Sequence, residues 1–317
     1  MKNTRRSLFA IIALILVSVL AACGSSANNE APATAATDAP SPAAEEATVR
    51  TLTDAAGHEV EVPVHPKRII AAFMEDPLAA LDMKPVAQWG VAGVPQQYLQ
   101  DKLAGIPVLK MDNGLQPEEV FSYNPDLIIF LTADYVKDGY DQFAKIAPTF
   151  ILSDNANDWR GNLQKLGTLL NEEDAAQKAV ATYDEKLKLA KEQLGSLIEG
   201  KTAVLLQPVG ENFKLFGPGF YGGAMLYDEL GFQKPDMLKG DYDAYSIETL
   251  AQLDKVDYIF LLSGEGREKP PADNPLWKGL PAVKGGNVFA ADSGHWFNNN
   301  SIANGLIIDD VLKYVHE

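Results

Sequence analysis

The stretch GPGFYG at residues 217–222, opening with Gly217 and closing with Gly222, matches G-x-G-x-x-G, the pattern that lets a backbone approach a pyrophosphate. It follows a predicted strand and opens a predicted helix. That strand, however, reads as the second arm of a hairpin turning at residues 210–212, and Pro218 stiffens the turn, so a glycine-rich turn near a ligand is the better reading. Metal chemistry is poorly served. The four histidines, His58, His65, His295 and His316, are scattered, without an H-x-x-x-H pair or a cysteine partner. There is no G-x-S-x-G elbow and no nucleophile beside a candidate base, so the pattern does not favour an enzyme.

More suggestive are aromatic and basic residues at the predicted carboxyl ends of strands: Trp89, Tyr135, Trp159 with Arg160, Tyr221, Arg267, and His295 with Trp296. In open α/β sheets ligands lie beyond those ends. Singly, each such residue is as readily a packing or surface residue. Collectively they are expected to line a cleft for a bulky, partly apolar ligand with acidic or polar edges, bound without a cofactor and without direct metal ligation.

Positioning such a set requires two similar α/β lobes. TVRTLTDAAGHEVEVPV alternates apolar and polar residues around an Ala-Ala-Gly turn and predicts a β-hairpin, with His58 and His65 in structural roles. KRIIAAF, KPVAQWG, IPVLK, DLIIFL and PTFILS then read as strands alternating with helices near PLAALDM, from Pro117, and through DQFAKI. This order predicts a mainly parallel sheet with helices on its faces, a Rossmann-like lobe over residues 48–170. From Asn171 to about Ile198 there is no proline, and Val180, Tyr183, Leu187, Ala190 and Leu194 recur at helical spacing. A helix of about 25 residues spans roughly 38 Å, too long for a crossover, and is expected as a single strut over 171–199, with a coiled-coil partner helix as the alternative. TAVLLQPV, FKLFG, YIFLL and NVFAAD, with helices between them, repeat the grammar as a second lobe over 200–317.

The N-terminus has its own logic. Residues 1–22 carry Lys2, Arg5 and Arg6, then an apolar run too short for a good membrane span, as a signal peptide does. Cys23, the only cysteine, follows Leu-Ala-Ala and precedes Gly24, a pattern that resembles the lipobox of bacterial lipoproteins, where that cysteine is lipidated. Residues 24–47 are rich in Ala, Pro, Ser and Thr and predict a disordered tether reaching roughly 25–30 Å. The formal charge is −16, and loss of the leader's three basic residues takes it to −19, which argues against nucleic acid and anionic lipid as partners.

Several phrases carry a family resemblance in their order and spacing: D-x-x-G-H-E-V-x-V-P-x-x-P-K-R-I from Asp54, P-E-x-V-x-x-x-x-P-D-L-I-I from Pro117, YDQFAKIAPT, LYDELGF, NPLWKGLPAVK and IIDDVL. With the lipobox and tether they resemble the ferric-siderophore substrate-binding lipoproteins of ABC importers, over nearly the whole mature chain. The resemblance implies a receptor that is no enzyme, lipid-anchored on the extracytoplasmic face of a cell membrane of Gram-positive type and acting as a monomer. It also implies a ligand cleft between the two lobes for a ferric siderophore whose iron is held by its chelator, and an ABC permease dimer with its ATPase as partners. Haem or cobalamin is the alternative ligand, with His295 or Met74 as axial ligands. An extracytoplasmic oxidoreductase using the glycine turn is the alternative from another class. LLQPV with Gln207 stands where hydroxamate-binding relatives often carry an arginine, and HWFNNNS lacks glycines often found there, which leaves the chelator open.

The resemblance also gives a role to an internal echo. PEEVFSYNPDLIIFL and SIETLAQLDKVDYIFLL each place a glutamate at the second position of a predicted helix, Glu118 and Glu248. In the family one acid per lobe docks into arginine pockets of the permease, whereas in helix physics both simply stabilise helix starts by about 0.3–1 kcal/mol each. The anchor can be tested separately: Cys23→Ala is expected to leave the folded lobes unchanged while abolishing lipid labelling and membrane retention in a fractionated cell. Retention with continued labelling would remove Cys23 as the anchor.

Overall fold

In the N-terminal lobe, the apolar residues fall into pairs that face opposite ways, and this sets its layers. The computed structural model describes residues 48–111, 114–264 and 266–316; Cys23, the signal sequence and the tether lie outside the described residues. A hairpin of β1 (Val49–Thr53) and β2 (Glu59–Pro63) leads into β3 (Ile69–Ile70) and α1 (Glu75–Ala80). There follow a small ribbon of β4 (Gly90–Val91) and β5 (Val94–Pro95), then α2 (Gln100–Leu103), α3 (Pro117–Ser122), β6 (Leu127–Phe130), α4 (Tyr140–Ala144), β7 (Thr149–Ile151) and α5 (Trp159–Leu170). Strands β3, β6 and β7 form a parallel sheet in the order β3-β6-β7.

Every residue of β6 is buried, because the sheet is covered on both faces. Ile69, Leu127 and Ile129 face one core, and Ile70, Ile128 and Phe130 face another under α3 and α4. The hairpin is fastened by Asp54, whose carboxylate accepts bonds from the Ala56 and His58 amides at 2.9 and 2.8 Å and from the Ile151 amide at 3.2 Å. His58 bonds that carboxylate at 2.9 Å and stacks on Tyr140 at 3.9 Å, a structural role.

Helix α6 (Glu173–Ile198) is the long strut, 26 residues or about 39 Å. Its buried residues Ala176, Tyr183, Ala190 and Leu194 pack on α5 and on the last helix of the chain, so its partners belong to the same fold and not to a coiled coil. Near its end Gly195 takes φ 35° and ψ −121°, a break that a residue with a side chain would resist.

The second lobe holds β8 (Ala203–Val209), β9 (Asn212–Phe216), the short helix α7 (Gly222–Ala224) running into a π-helical turn at Met225–Leu230, and β10 (Tyr242–Ser246). A 3-10 helix (Ile247–Leu253), β11 (Tyr258–Ser263), α8 (Pro275–Gly279), α9 (Pro281–Lys284), β12 (Val288–Asp292), α10 (Ser293–Trp296) and α11 (Ser301–Tyr314) complete it. The sheet order is β10-β9-β8-β11-β12, with β8, β11 and β12 parallel and β9 and β10 antiparallel. Here too the sides alternate: Leu205, Phe260 and Leu262 face the strut, and Val204, Leu206 and Ile259 face the opposite core.

The fold is therefore α/β with two lobes joined by one long helix, as expected, with three differences of detail. KPVAQWG and IPVLK meet only at one isolated bridge, Gln88 to Val108, and apart from Gly90 at the start of β4 neither forms a strand. The edge strand β10 was not anticipated, because its burial alternates around charged and aromatic residues. The segment after Ser246 is a 3-10 helix and not an α-helix.

Candidate ligand-binding cleft

On the N-terminal lobe the chain leaves β3 and turns at Phe73 with φ 69°, a conformation that costs a non-glycine residue about 1–2 kcal/mol. The turn brings the Phe73 ring 4.9 Å from Trp89 and 5.2 Å from Tyr135, centroid to centroid. Tyr135 is 46% exposed, so this aromatic wall ends in a ring that faces solvent. Behind it Glu75 is buried, and its Oε1 accepts the Trp89 amide at 2.6 Å. Its other oxygen has no hydrogen-bond partner. Burial, helped by the neighbouring charge of Asp76, pushes the Glu75 carboxyl up to about 7 against the opposing pull of nearby backbone amides, that of Trp89 first.

The C-terminal lobe supplies the opposing wall. Tyr221 has φ 49° and ψ −135° and packs its ring 4.3 Å from Phe220 and 5.3 Å from Phe297. The guanidinium of Arg267 lies over Phe297 at 4.5 Å, a cation–π contact. Burial, then the phenols of Tyr135 and Tyr242, raise the Tyr221 hydroxyl above its ordinary value. Tyr135 belongs to the first lobe and Tyr221 to the second, so the two walls face each other.

Between the walls the lobes are stitched together. Asp76, buried at the start of α1, accepts the Ile302 and Ala303 amides at 3.1 and 2.9 Å, satisfying orphan donors at the start of α11, and the Tyr98 hydroxyl at 3.1 Å. Its carboxyl is pushed up to about 6 by burial, which outweighs those bonds. Gln96 donates to Asn298 at 3.3 Å, and the rings of Tyr98 and His295 meet edge to face at 6.2 Å.

Residues 76–294 match the family described as periplasmic binding protein. Among curated relatives, the iron(3+)-hydroxamate-binding protein FhuD of Bacillus subtilis is 31% identical over 300 residues, 89% of each chain. The probable siderophore-binding lipoprotein YfiY of the same organism is 28% identical over 324 residues, 95% of each. A solved FhuD-fold protein, described as the periplasmic binding component of a ferrichrome ABC transporter from Bacillus subtilis, superposes with TM-score 0.69 at 26% identity, covering 82% of this chain and 97% of its own. The chain belongs to the periplasmic binding protein family. It is accordingly a binding protein and not an enzyme, and the family's two-lobed build is the one described above.

Of the residues singled out from sequence, Trp89, Tyr135, Tyr221 and Arg267 stand in the two walls. Three do not. Trp159 is 5% exposed and packs edge-on against Tyr183 at 4.8 Å. Arg160 lies over the same two rings and bonds Glu229 at 2.6 Å and Asp184 at 2.8 Å, tying α5, α6 and the π-helical turn together. Its charge is committed to those carboxylates, which outweigh burial in raising its pKa. Trp296 is fully buried, stacks on Phe260 at 5.0 Å and donates to Asp310 at 2.8 Å. His295 is 9% exposed, and its Nε2 bonds the same Asp310 at 2.8 Å. Met74 is 1% exposed in the core, so neither of the envisaged axial ligands for haem or cobalamin is presented to the cleft.

The glycine turn is taken up by the packing of the fold itself. It follows β9, an antiparallel arm, and the Gly219 amide already donates to Asp228 at 3.3 Å. A Cβ on Gly222 would sit 2.6 Å from the Trp296 ring, so that glycine serves helix packing. The cleft residues missed from sequence are Phe73, Phe220, Tyr242 and Phe297. Phe73 and Phe297 each adjoin a residue that was named, Met74 and Trp296; a one-residue turn of the backbone exchanges which of the two is buried.

The buried carboxyl behind the aromatic wall gives a pH test. Because the folded value of Glu75 lies above its ordinary 4.5, its favourable contribution is complete below about pH 4.5 and is lost as pH rises through about 7. Glu75→Gln is expected to gain on wild type by about 1–3 kcal/mol between pH 5 and pH 8 in urea unfolding. Parallel pH profiles for the two proteins would show that this carboxyl is not protonated in the native state.

Proposed function

We propose that the chain is the extracytoplasmic receptor of an ABC importer, capturing a ferric-siderophore complex between its lobes and delivering it to the membrane permease and its ATPase. The observation that carries this is the pair of opposed aromatic walls, Phe73, Trp89 and Tyr135 against Tyr221 and Phe297, with Arg267 at the edge. Such walls offer apolar faces and a few donors to a bulky organic shell, and in this reading the chelator holds the metal. Relatives named for siderophore and iron(3+)-hydroxamate binding support the same ligand class. No helix among the described residues is long and apolar enough to cross a membrane; attachment is assigned to lipid on Cys23, on the strength of the lipobox.

Tryptophan fluorescence tests the capture step, since Trp89 stands in the cleft wall. A ferric siderophore is expected to quench it saturably, with haem and cobalamin giving no saturable change. Saturable quenching by haem or cobalamin alone would replace the ligand class.

Delivery is assigned to Glu118 and Glu248. Both are exposed, each at the second position of a short helix, after Pro117 and Ser246 respectively. The Ser246 hydroxyl holds the Glu248 carboxyl below its ordinary value, so it stays charged. Phe121, 69% exposed and one helical turn beyond Glu118, adds an apolar contact of the kind that interfaces bury. Replacing both glutamates by Ala is expected to leave chelate affinity within about twofold while lowering uptake roughly tenfold or more, an effect that added salt reproduces in part. Normal uptake together with a lower melting temperature would reduce both to helix-end stabilisers.

A further inference from the structure

Among the described residues, the charges beside the opposed rings come close to balancing. Beside the opposed rings stand two cations, Arg267 over Phe297 at 4.5 Å and Lys214 over Tyr242 at 5.1 Å. Two carboxylates flank the same rings: Asp134 adjoins Tyr135, and Asp241 adjoins Tyr242. Arg160, which sequence placed in the cleft, is neutralised by Glu229 and Asp184 elsewhere. Glu268, next to Arg267, is turned to the Gly210 amide at 2.6 Å.

Phe73, Trp89, Tyr135, Tyr221 and Phe297 are aromatic, and an aromatic face is the negative side of the ring quadrupole, which repels anionic oxygens and favours C–H edges. A polyanion entering such a site would lose hydration without gaining a matching set of cations, a cost of several kcal/mol per uncompensated charge. It would also approach against the field of a chain whose net charge is −16.

Two positions are built for gripping. Phe73 and Tyr221, one on each lobe, are both aromatic, both at positive φ (69° and 49°), and both at the facing walls. Backbone strain of this kind persists where surrounding packing fixes it, and it concentrates at ligand clamps.

Resting on the receptor reading above, we infer that the captured chelate has a net charge at or near zero, and that Phe73 and Tyr221 are its specificity-determining jaws. A ferric trishydroxamate fits, because three singly charged hydroxamates cancel the ferric ion. A ferric triscatecholate, left with a threefold negative charge, does not, and neither does an anionic ferric citrate.

The test titrates the full chain with a neutral ferric trishydroxamate, a ferric triscatecholate and ferric citrate at low and high salt, read by tryptophan quenching. The neutral chelate is expected to bind at least about tenfold more tightly than either anion, with affinity nearly independent of salt. Phe73→Gly and Tyr221→Gly are each expected to weaken it roughly tenfold or more, while thermal melting shows no more than a small loss, because glycine relieves the strained φ. Tighter binding of either anion, weakened by salt, overturns the charge inference and leaves the receptor reading intact. Glycine variants that bind as wild type overturn the jaws. No quenching by any of the three chelates overturns both the inference and the receptor reading.

Discussion

The constraint on which this structure depends is that both lobes bury their inner sheet faces against the same helix. Ile69, Leu127 and Ile129 from one lobe and Leu205, Phe260 and Leu262 from the other join Tyr183, Ala190 and Leu194 of α6 in one continuous core. At roughly 1.5–3 kcal/mol for each large apolar side chain fully buried, sliding one lobe past the other would expose many kcal/mol of surface. Two polar ties add to this. Asp76 caps α11 across the lobe boundary, and Arg160 binds Asp184 and Glu229 across three elements. Both ties are buried or half-buried, where breaking one partner leaves an uncompensated group and costs more than an exposed pair would.

A shared core has a consequence for how a ligand is held. With the lobes fixed, large closure is expensive, and recognition falls to the loops that leave the strand ends. Those loops include strained backbone, at Phe73 and Tyr221, and the first of them leads into Glu75, a carboxyl buried with one oxygen unsatisfied. The core supplies the stability that tolerates these features. Glu75 fixes the Trp89 amide, so the cost of its burial is exchanged for a wall held in place before the ligand arrives.

The sequence made the layers legible because paired apolar residues such as Ile69 with Ile70 and Leu127 with Ile128 can only be buried on two faces, and because Tyr183, Ala190 and Leu194 keep helical spacing over a proline-free stretch. The cleft was legible only in part. An aromatic residue at a strand end is visible in sequence, but which of two neighbours turns inward is not, and at Phe73 and Met74 it goes with the positive φ of one residue. Arg160 was misplaced for a different reason. Its partners Asp184 and Glu229 lie 24 and 69 positions away, and no local pattern announces a contact of that range. The antiparallel edge strand β10 escaped because its pairing with β9 is what makes Tyr242–Ser246 a strand; its own residues form no apolar run.

Charge divides the molecule into two regimes. The chain as a whole is strongly acidic, and its exposed acids include Glu118 and Glu248. The cleft wall sets aromatic faces beside a balance of Arg267 and Lys214 against Asp134 and Asp241. Capture would then rely on apolar contact and shape, which salt hardly affects, and delivery on long-range attraction between carboxylates and arginines, which salt screens. Such a separation lets a single acidic surface attract a cationic partner without also repelling the ligand, provided that the ligand itself is close to neutral.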